Sequence, residues 1–423
     1  MSHRTLKGLS RRDFLKAAAL GSAGLTLANY LPTLAQDSVS GDINYWHHFT
    51  SDSEFEALEE IMALFAERYP DVNVTQENIP NDDFMARFTA AVAADTRPDT
   101  VMVASERFAD MLGMGGLVDI TERVNNWELI EFFPENRWGS VTQDEAIYGV
   151  PAFTFIDWMY YRPDFFEEAG IDGPPTNFDE FLDAAIKLTD ASEGRYGFGL
   201  RGGGGGQGYV TDMLEAFGSP IVVDGQPAID RDIAIEAIRW WSELYTVHQV
   251  VPPSAPGDSY RQLMEAFKTG QTAMVWHHTG SLAEIQGALE DKFMTAVLPA
   301  GPVNTITRVS YLYNGIMKED NLDAAWAWIS YWGENDPAIA LLEKTGYFPA
   351  SAAVGDDPRI AENPLYGAAL ASLEIGKLPP SFIGYPDWSA NIALPAFQRI
   401  LVGDATVEEA VDEMIAGLED TLA

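Results

Sequence analysis

Between residues 41 and 104 the chain changes its hydrophobic period four times, and that rhythm restricts it more than any single motif. "DINYW" is a short apolar strand. "DSEFEALEEIMALFAERYP" places Phe55, Leu58, Met62, Phe65 and Tyr69 at helical spacing, with Ser53 and Glu56 as the expected capping-box pair. "DVNVTQENI" alternates like a strand, "DDFMARFTAAVAAD" is helical, and "DTVMVA" is a buried strand. Parallel neighbours need a crossover, and helices between strands supply it, so this order predicts an α/β fold with a parallel sheet.

A chain of 423 residues exceeds one ordinary core, so two lobes are expected. The rhythm breaks at Gly149 and Pro151 in "AIYGVPAFTFIDWMYYRPDFF", at the Pro-Gly of "LPAGPV", and at "TGYFPAS". Between the breaks, "TNFDEFLDAAIKLTD" reads as a helix with Thr176 and Asp179 near its start. "IDRDIAIEAIRWWSELYTV" and "YRQLMEAFKTG" are further helices, and "QTAMVW" is a strand. Trp326, Trp328 and Trp332 lie at helical spacing and are expected to belong to a core, as are Trp240 and Trp241.

The N-terminus reads "LSRRDFLKAAALGSAGLTLANYLPTLAQ": a basic region, an apolar stretch, then small residues near Ala35. This is the pattern of a secretory signal over residues 1–35, and "SRRDFLK" resembles a twin-arginine export signal. Its removal takes away Arg4, Lys7, Arg11, Arg12 and Lys16 but only Asp13. The remainder is then more acidic than the net −38 of the whole chain. Such a surface repels nucleic acid and anionic membranes, and it suits a saline habitat where screening relieves self-repulsion. With no cysteine, disulfides, thiol catalysis and Cys-based zinc sites are excluded.

Four of the six histidines lie in two copies of one tripeptide, "YWHHFT" at 45–50 and "VWHHTG" at 275–280. Two metal half-sites are one reading, although neighbouring strand residues face opposite sides and no H-E-x-x-H spacing is present. Two walls of a ligand cleft are the other reading. Trp and Tyr pack on the C–H faces of sugars, while His, Arg, Asn and carboxylates bond the hydroxyls.

The pieces "FAERYPDVNV", "PDTVMVASERFADMLGMGGLVDIT", "IYGVPAFTFIDWMYYRPDFFEEAGI", "PPTNFDEFLDAAIKL", "FKTGQTAMVW", "AAWAWISYW" and "VEEAVDEMIAGLEDTL" follow one another in order. In that order the chain resembles the extracellular solute-binding proteins of bacterial ABC importers, in the carbohydrate-binding group that includes maltose-binding protein. The resemblance implies a two-lobed flytrap with three crossings. One lobe would comprise 36–150 and 302–346, the other 151–301 and 347–423. It also implies a monomeric, exported receptor without cofactor that closes on a carbohydrate and docks on the transmembrane subunits of an ABC permease.

The same resemblance assigns the ligand contacts. Trp276 and Trp388 would stack on sugar. Ser105, Glu106 and Arg107 of "ASERF" would lie in one cleft loop, and His47, His48 and Thr50 in another. Apart from the resemblance, His277 of the second tripeptide, Arg201, Gln207 and Tyr209 around the glycine run, and Tyr313 of "VSYLYNG" are expected to add polar contacts. Phe155 stands where many members have a carboxylate, with Asp157 nearby as a replacement, and Val103 stands where maltose-binding protein has an aromatic, so a pocket other than a maltose site is expected. Arg107, Arg201 and the histidines leave a phosphorylated polyol open as ligand.

"GGGGGQG" contains Gly203, Gly205 and Gly208, which match G-x-G-x-x-G. The run lies mid-chain rather than in the first turn of a βαβ unit, so it reads as a bare backbone loop near the ligand or as a surface loop. A glycosidase would need two carboxylates across a sugar bond, and no local motif selects a pair from 64 acids. No G-x-S-x-G elbow is present. Binding without catalysis is the expectation.

Overall fold

The computed structural model describes residues 39–80, 83–133, 137–354 and 357–423. The segment expected to be an export signal, with Arg11 and Arg12, lies outside them. Among the described residues no helix is long and apolar enough to cross a membrane.

The main sheet runs β2 (Val72–Asn78), β1 (Gly41–His47), β3 (Thr100–Ala104), β12 (Val309–Ile316), β6 (Val150–Tyr161), β10 (Thr272–His278) and β7 (Tyr196–Gly199). β11 (Met294–Ala296) and β13 (Phe348–Pro349) also pair with β6. Two small hairpins, β4–β5 (Thr142–Gln143, Ala146–Ile147) and β8–β9 (Val222–Val223, Gln226–Pro227), stand apart. β1 is parallel to β2 and β3, as the strand–helix rhythm predicts. β12 and β10 run antiparallel to β6, so the sheet is mixed.

β6 is the organising element. Its first part, Val150–Ile156, pairs with β12, and Phe153 and Thr154 also pair with β13. Its second part, Asp157–Tyr161, pairs with β10, and Met159–Tyr161 also with β11. The strand therefore changes partners between Ile156 and Asp157, and one continuous backbone joins the two halves of the sheet. The apolar run "VPAFTFI" fits this position, because a strand flanked on both edges and covered on both faces reads as continuous hydrophobicity.

Local signals set the helix starts. Helix Asp52–Arg68 is capped by Ser51, not Ser53: Ser51 is extended, its Oγ accepts from the Glu54 N–H, and Glu54 accepts from the Ser51 N–H at 2.7 Å. Helix Phe178–Leu188 starts from Asn177, whose Oδ1 accepts from the Glu180 N–H, while Thr176 donates to the Glu180 carboxylate. The last helix, Val407–Leu422, is closed by a Thr406–Glu409 capping box.

Trp328 and Trp332 lie in the core under β1, with Tyr45 and Phe65 against the Trp328 ring. Trp326, half-buried, meets Trp127 edge-on. In the other half, Trp241 is buried and Trp240 stacks on Phe178 at 4.1 Å.

Candidate functional site

The two Trp-His-His tripeptides have the same local cause. Each ends a strand, so the side chains alternate faces. In the first, Trp46 joins the core beside Phe84 and Phe88, and its indole N–H donates to Glu77 at 3.0 Å. His47 turns the other way, against Tyr45 and Phe49. It is fully buried; its Nδ1 accepts from the Phe49 N–H, so Nε2 holds the proton facing Gln76 Oε1 at 2.8 Å. His48 meets the Phe84 ring edge-on, and the Arg107 guanidinium lies over the same ring.

In the second copy the alternation overturns an expectation. Trp276 is 1% exposed and sits in a core of aromatic rings, 4.7 Å from Phe181, 5.0 Å from Phe198 and 5.4 Å from Trp241. No face of the indole is left for a sugar. Trp388 is 0% exposed, and its indole N–H donates to the Met414 carbonyl at 2.9 Å. Trp276 packs helices against the sheet and Trp388 ties its own helix to the last one, so the stacking role expected of them has no surface to act on.

His277, on the opposite face from Trp276, enters a polar cluster beside the point where β6 changes partners. Arg201 Nη1 donates to His277 Nε2 at 3.3 Å. Arginine can only donate, so Nε2 accepts and the ring proton lies on Nδ1, facing Ser281 Oγ at 2.7 Å. The His278 ring is 4.1 Å from that of His277; its Nδ1 accepts from the Gly280 N–H, which leaves the proton on Nε2. Phe155, half-buried, lies 4.8 Å from the His278 ring and 4.5 Å from Tyr347. Tyr347 donates to Glu54, whose carboxylate also takes the N–H groups of Thr50 and Ser51.

On the other side, Arg308 donates to Asp157 at 2.6 Å and lies 3.3 Å from Asp212. Its guanidinium rests over the Tyr209 ring, and Tyr209 in turn donates to the Trp276 carbonyl at 2.8 Å. A shallow pocket opens beside this pair, lined by Asp212, Glu215, Thr307, Arg308 and Lys377.

The glycine run has a definite purpose here. A Cβ at Gly205, which has φ +89°, would collide with the Arg201 guanidinium, and a Cβ at Gly208 would collide with that of Arg308. The Gly204 carbonyl accepts from Arg201 Nε at 2.8 Å, and Gln207 Oε1 accepts from the Gly205 N–H. Bare backbone is what lets two bulky cations lie flat against the loop. The loop cradles arginine side chains, where the sequence left open a bare loop near the ligand or a surface loop.

Phe155, Asp157, Arg201 and His277 thus come together, with Thr50 joined through Glu54. His48 and Arg107 form a separate group on Phe84. Ser105 is buried; its carbonyl accepts from Ser381 Oγ at 3.1 Å, and Glu106 acts on the nearby Tyr385 hydroxyl. Tyr313 is buried and donates to the Arg137 carbonyl, a structural bond. The cluster also holds Tyr209, and with it Glu54, Asp212, His278, Arg308 and Tyr347, which the sequence alone does not single out. Arg308 had a visible signal: it precedes a strand in a chain with 26 basic residues against 64 acids.

Among the described residues no group of three or more His, Cys, Asp or Glu side chains could hold a metal ion.

Burial and neighbouring charge set the protonation states. Burial, with Arg201 and Arg308 adding to it, holds His278 at about 4, and burial with Arg107 holds His48 at about 3, against an ordinary 6.5. Burial, reinforced by the charge of Asp157, raises Asp212 from 3.8 to about 7 despite Arg308. These shifts oppose each other. Below pH 6.5 the unfolded chain takes protons that the folded histidines refuse, so their contribution to stability falls on acidification toward pH 4. Between about pH 4 and 7 the folded Asp212 keeps a proton that the unfolded chain releases, so its contribution falls as pH rises. Asp212→Asn removes the second effect. Relative to wild type, its free energy of unfolding is expected to fall by about 1 kcal/mol or more on going from pH 7 to pH 5, read from denaturant titrations. Parallel curves for the two proteins would show that Asp212 is ionised in the fold.

Residues 50–339 match the family described as bacterial extracellular solute-binding protein. A binding protein of Brucella abortus is 24% identical over 404 residues, covering 92% of this chain and 96% of its own. A mannitol-binding protein of Pseudomonas aeruginosa is 22% identical, covering 88% of this chain and 80% of its own. A Thermotoga lettingae solute-binding protein bound with α-D-tagatose superposes with a TM-score of 0.80 at 23% identity, covering 91% of this chain and 100% of that one. The maltose-bound MalE3 protein of T. maritima superposes with a TM-score of 0.80 at 23% identity, covering 90% and 99%. The fold is the two-lobed α/β architecture of these binding proteins, and the family match spans most of the chain. The chain belongs to the bacterial extracellular solute-binding protein family.

Proposed function

We propose that this protein is the substrate-binding component of an ABC importer, and that it captures a sugar or polyol between its lobes for a membrane permease. The observation that carries this is the cluster where β6 passes from one half of the sheet to the other. There Glu54, Phe155, Asp157, Arg201, His277 and His278 converge from segments far apart in sequence. Relatives that bind mannitol, or erythritol and L-threitol, support a small polyhydroxylated ligand.

Phe155 is the aromatic wall of this site, the role that the buried Trp276 and Trp388 cannot fill. Asp157 and the Nε2–H of the neutral His278 bond hydroxyls, while His277, with both ring nitrogens taken by Arg201 and Ser281, holds Arg201 in place. His48, Ser105, Glu106 and Arg107 form the facing wall in the N-terminal lobe. We place the lobes at 36–150 with 302–346 and at 151–301 with 347–423, with β6 as the first crossing. Binding involves no covalent step; the protein acts as an exported, periplasmic or extracellular monomer. Affinity comes from closure, which removes water from bonds that are weak while hydrated.

A thermal-shift screen of the protein without residues 1–35, against monosaccharides, oligosaccharides, sugar alcohols and divalent metals, tests the reading. A ligand that binds only the folded form raises the midpoint by mass action. A rise with one carbohydrate class supports the proposal, and a rise with zinc alone overturns it. Phe155→Ala is expected to weaken the ligand so found by about 1–2 kcal/mol in calorimetric titration. Unchanged affinity would remove Phe155 from the site.

A further inference from the structure

The charges of the cluster do not balance one another. Arg308 is matched by Asp157 at 2.6 Å and by Asp212 at 3.3 Å. The Glu54 carboxylate is absorbed by the N-terminus of its own helix and by Tyr347. Arg201 differs. Its bonds go to the Gly204 carbonyl and the His277 imidazole, and neither carries a charge. The acid whose charge reaches it, Asp157, is bound by Arg308. A half-buried guanidinium without a counter-charge keeps donors to offer, and a carboxylate satisfies its planar fork with two parallel bonds.

The neighbouring donor has the same bias. His278 Nδ1 is filled by the Gly280 N–H, so Nε2–H is what its ring can offer to a ligand. Arg201 and His278 therefore present hydrogen-bond donors to the cluster. Asp157, directly opposite His278 across the β6–β10 pair, supplies acceptor oxygen beside them. The glycine loop adds geometry: Gly204 and Gly205 hold the guanidinium against bare backbone and fix its orientation.

Resting on the sugar or polyol reading of this site, we propose that the ligand is a sugar acid. Its single carboxylate would pair with Arg201 and His278, and its hydroxyls would reach Asp157. One uncompensated cation matches one negative charge, which favours a uronate or aldonate over a phosphate dianion. The proposal also gives the cradled arginine a purpose in so acidic a chain. With a net charge of −38 the protein repels anions at long range, so an anionic ligand must be held by a local, oriented cation.

The test is isothermal titration of the protein lacking residues 1–35 with matched pairs: D-galacturonate against D-galactose, and D-mannonate against D-mannitol. Glycerol 3-phosphate is the phosphate arm. At least one acid is expected to bind tenfold or more tightly than its neutral partner, with affinity rising on added NaCl at low ionic strength. In Arg201→Gln the acid should lose at least tenfold in affinity, and its preference over the neutral partner should disappear. Should that variant fail to fold, the matched pairs on the wild-type protein decide alone. Equal or tighter binding of the neutral member, or preference for glycerol 3-phosphate, overturns the sugar-acid proposal and leaves the solute-binding reading standing. No binding by any member of the panel, acid or neutral, counts against both.

Discussion

Trp276→Ala is expected to lower the free energy of unfolding by about 3–5 kcal/mol, while ligand affinity measured on the folded fraction stays within threefold of wild type. The indole fills a site walled by Phe178, Phe181, Phe198 and Trp241, and alanine there leaves a cavity that these rigid rings cannot close. A loss of this size is a large part of the stability of an ordinary domain. Guanidinium denaturation followed by far-UV circular dichroism reads the first quantity, and calorimetric titration the second. A drop below about 1 kcal/mol together with lost binding would place the ring in the ligand cleft and reverse the assignment.

Arg308→Met should cost a similar amount, about 3–5 kcal/mol, by a different route. The cavity is small, but Asp157 and Asp212 lose their shared cation while remaining buried. The loss should be larger at pH 8 than at pH 5, because acidification protonates Asp212, which titrates near 7, and so relieves the repulsion. Adding Asp157→Asn to Arg308→Met should restore part of the stability, since it removes one of the two orphaned charges. Equal stability of the single and double variants at pH 8 would show that the pair is not coupled.

The fold was legible because its signals are local and periodic. The alternation from Gly41 to Ala104 produced β1, β2 and β3 in the parallel order expected. The breaks near Pro151, Pro302 and Pro349 fall close to where the chain changes sheet partners. Capping was legible as a type but misplaced by one or two residues, since Ser51 and Ser53 flank the same helix start and only the backbone angles decide between them.

The site was harder to read. Phe155, Asp157, Arg201 and His277 lie together in the fold, but Arg308 and Asp212 are far from one another in sequence, and only the fold brings them to Asp157. Trp276 was misread because a tryptophan beside two histidines suggests a ligand wall. Strand alternation sends it instead to the face opposite His277. The glycine run was read as a loop because nothing in its own composition says that two arginines lie against it.

The pairing of β12 with β6 has a consequence for synthesis. Val309–Asn314 complete the N-terminal half of the sheet by joining Val150–Ile156 and, on the other edge, β3. That half therefore cannot close while the ribosome is still translating the first three hundred residues. The whole C-terminal segment between must emerge, and can collapse, before the strand that seals the first core exists. Contacts of such sequence separation are slow to form, so the nascent chain carries an open sheet edge at β3 for most of its translation. Any factor that shields nascent chains has this edge as its natural target.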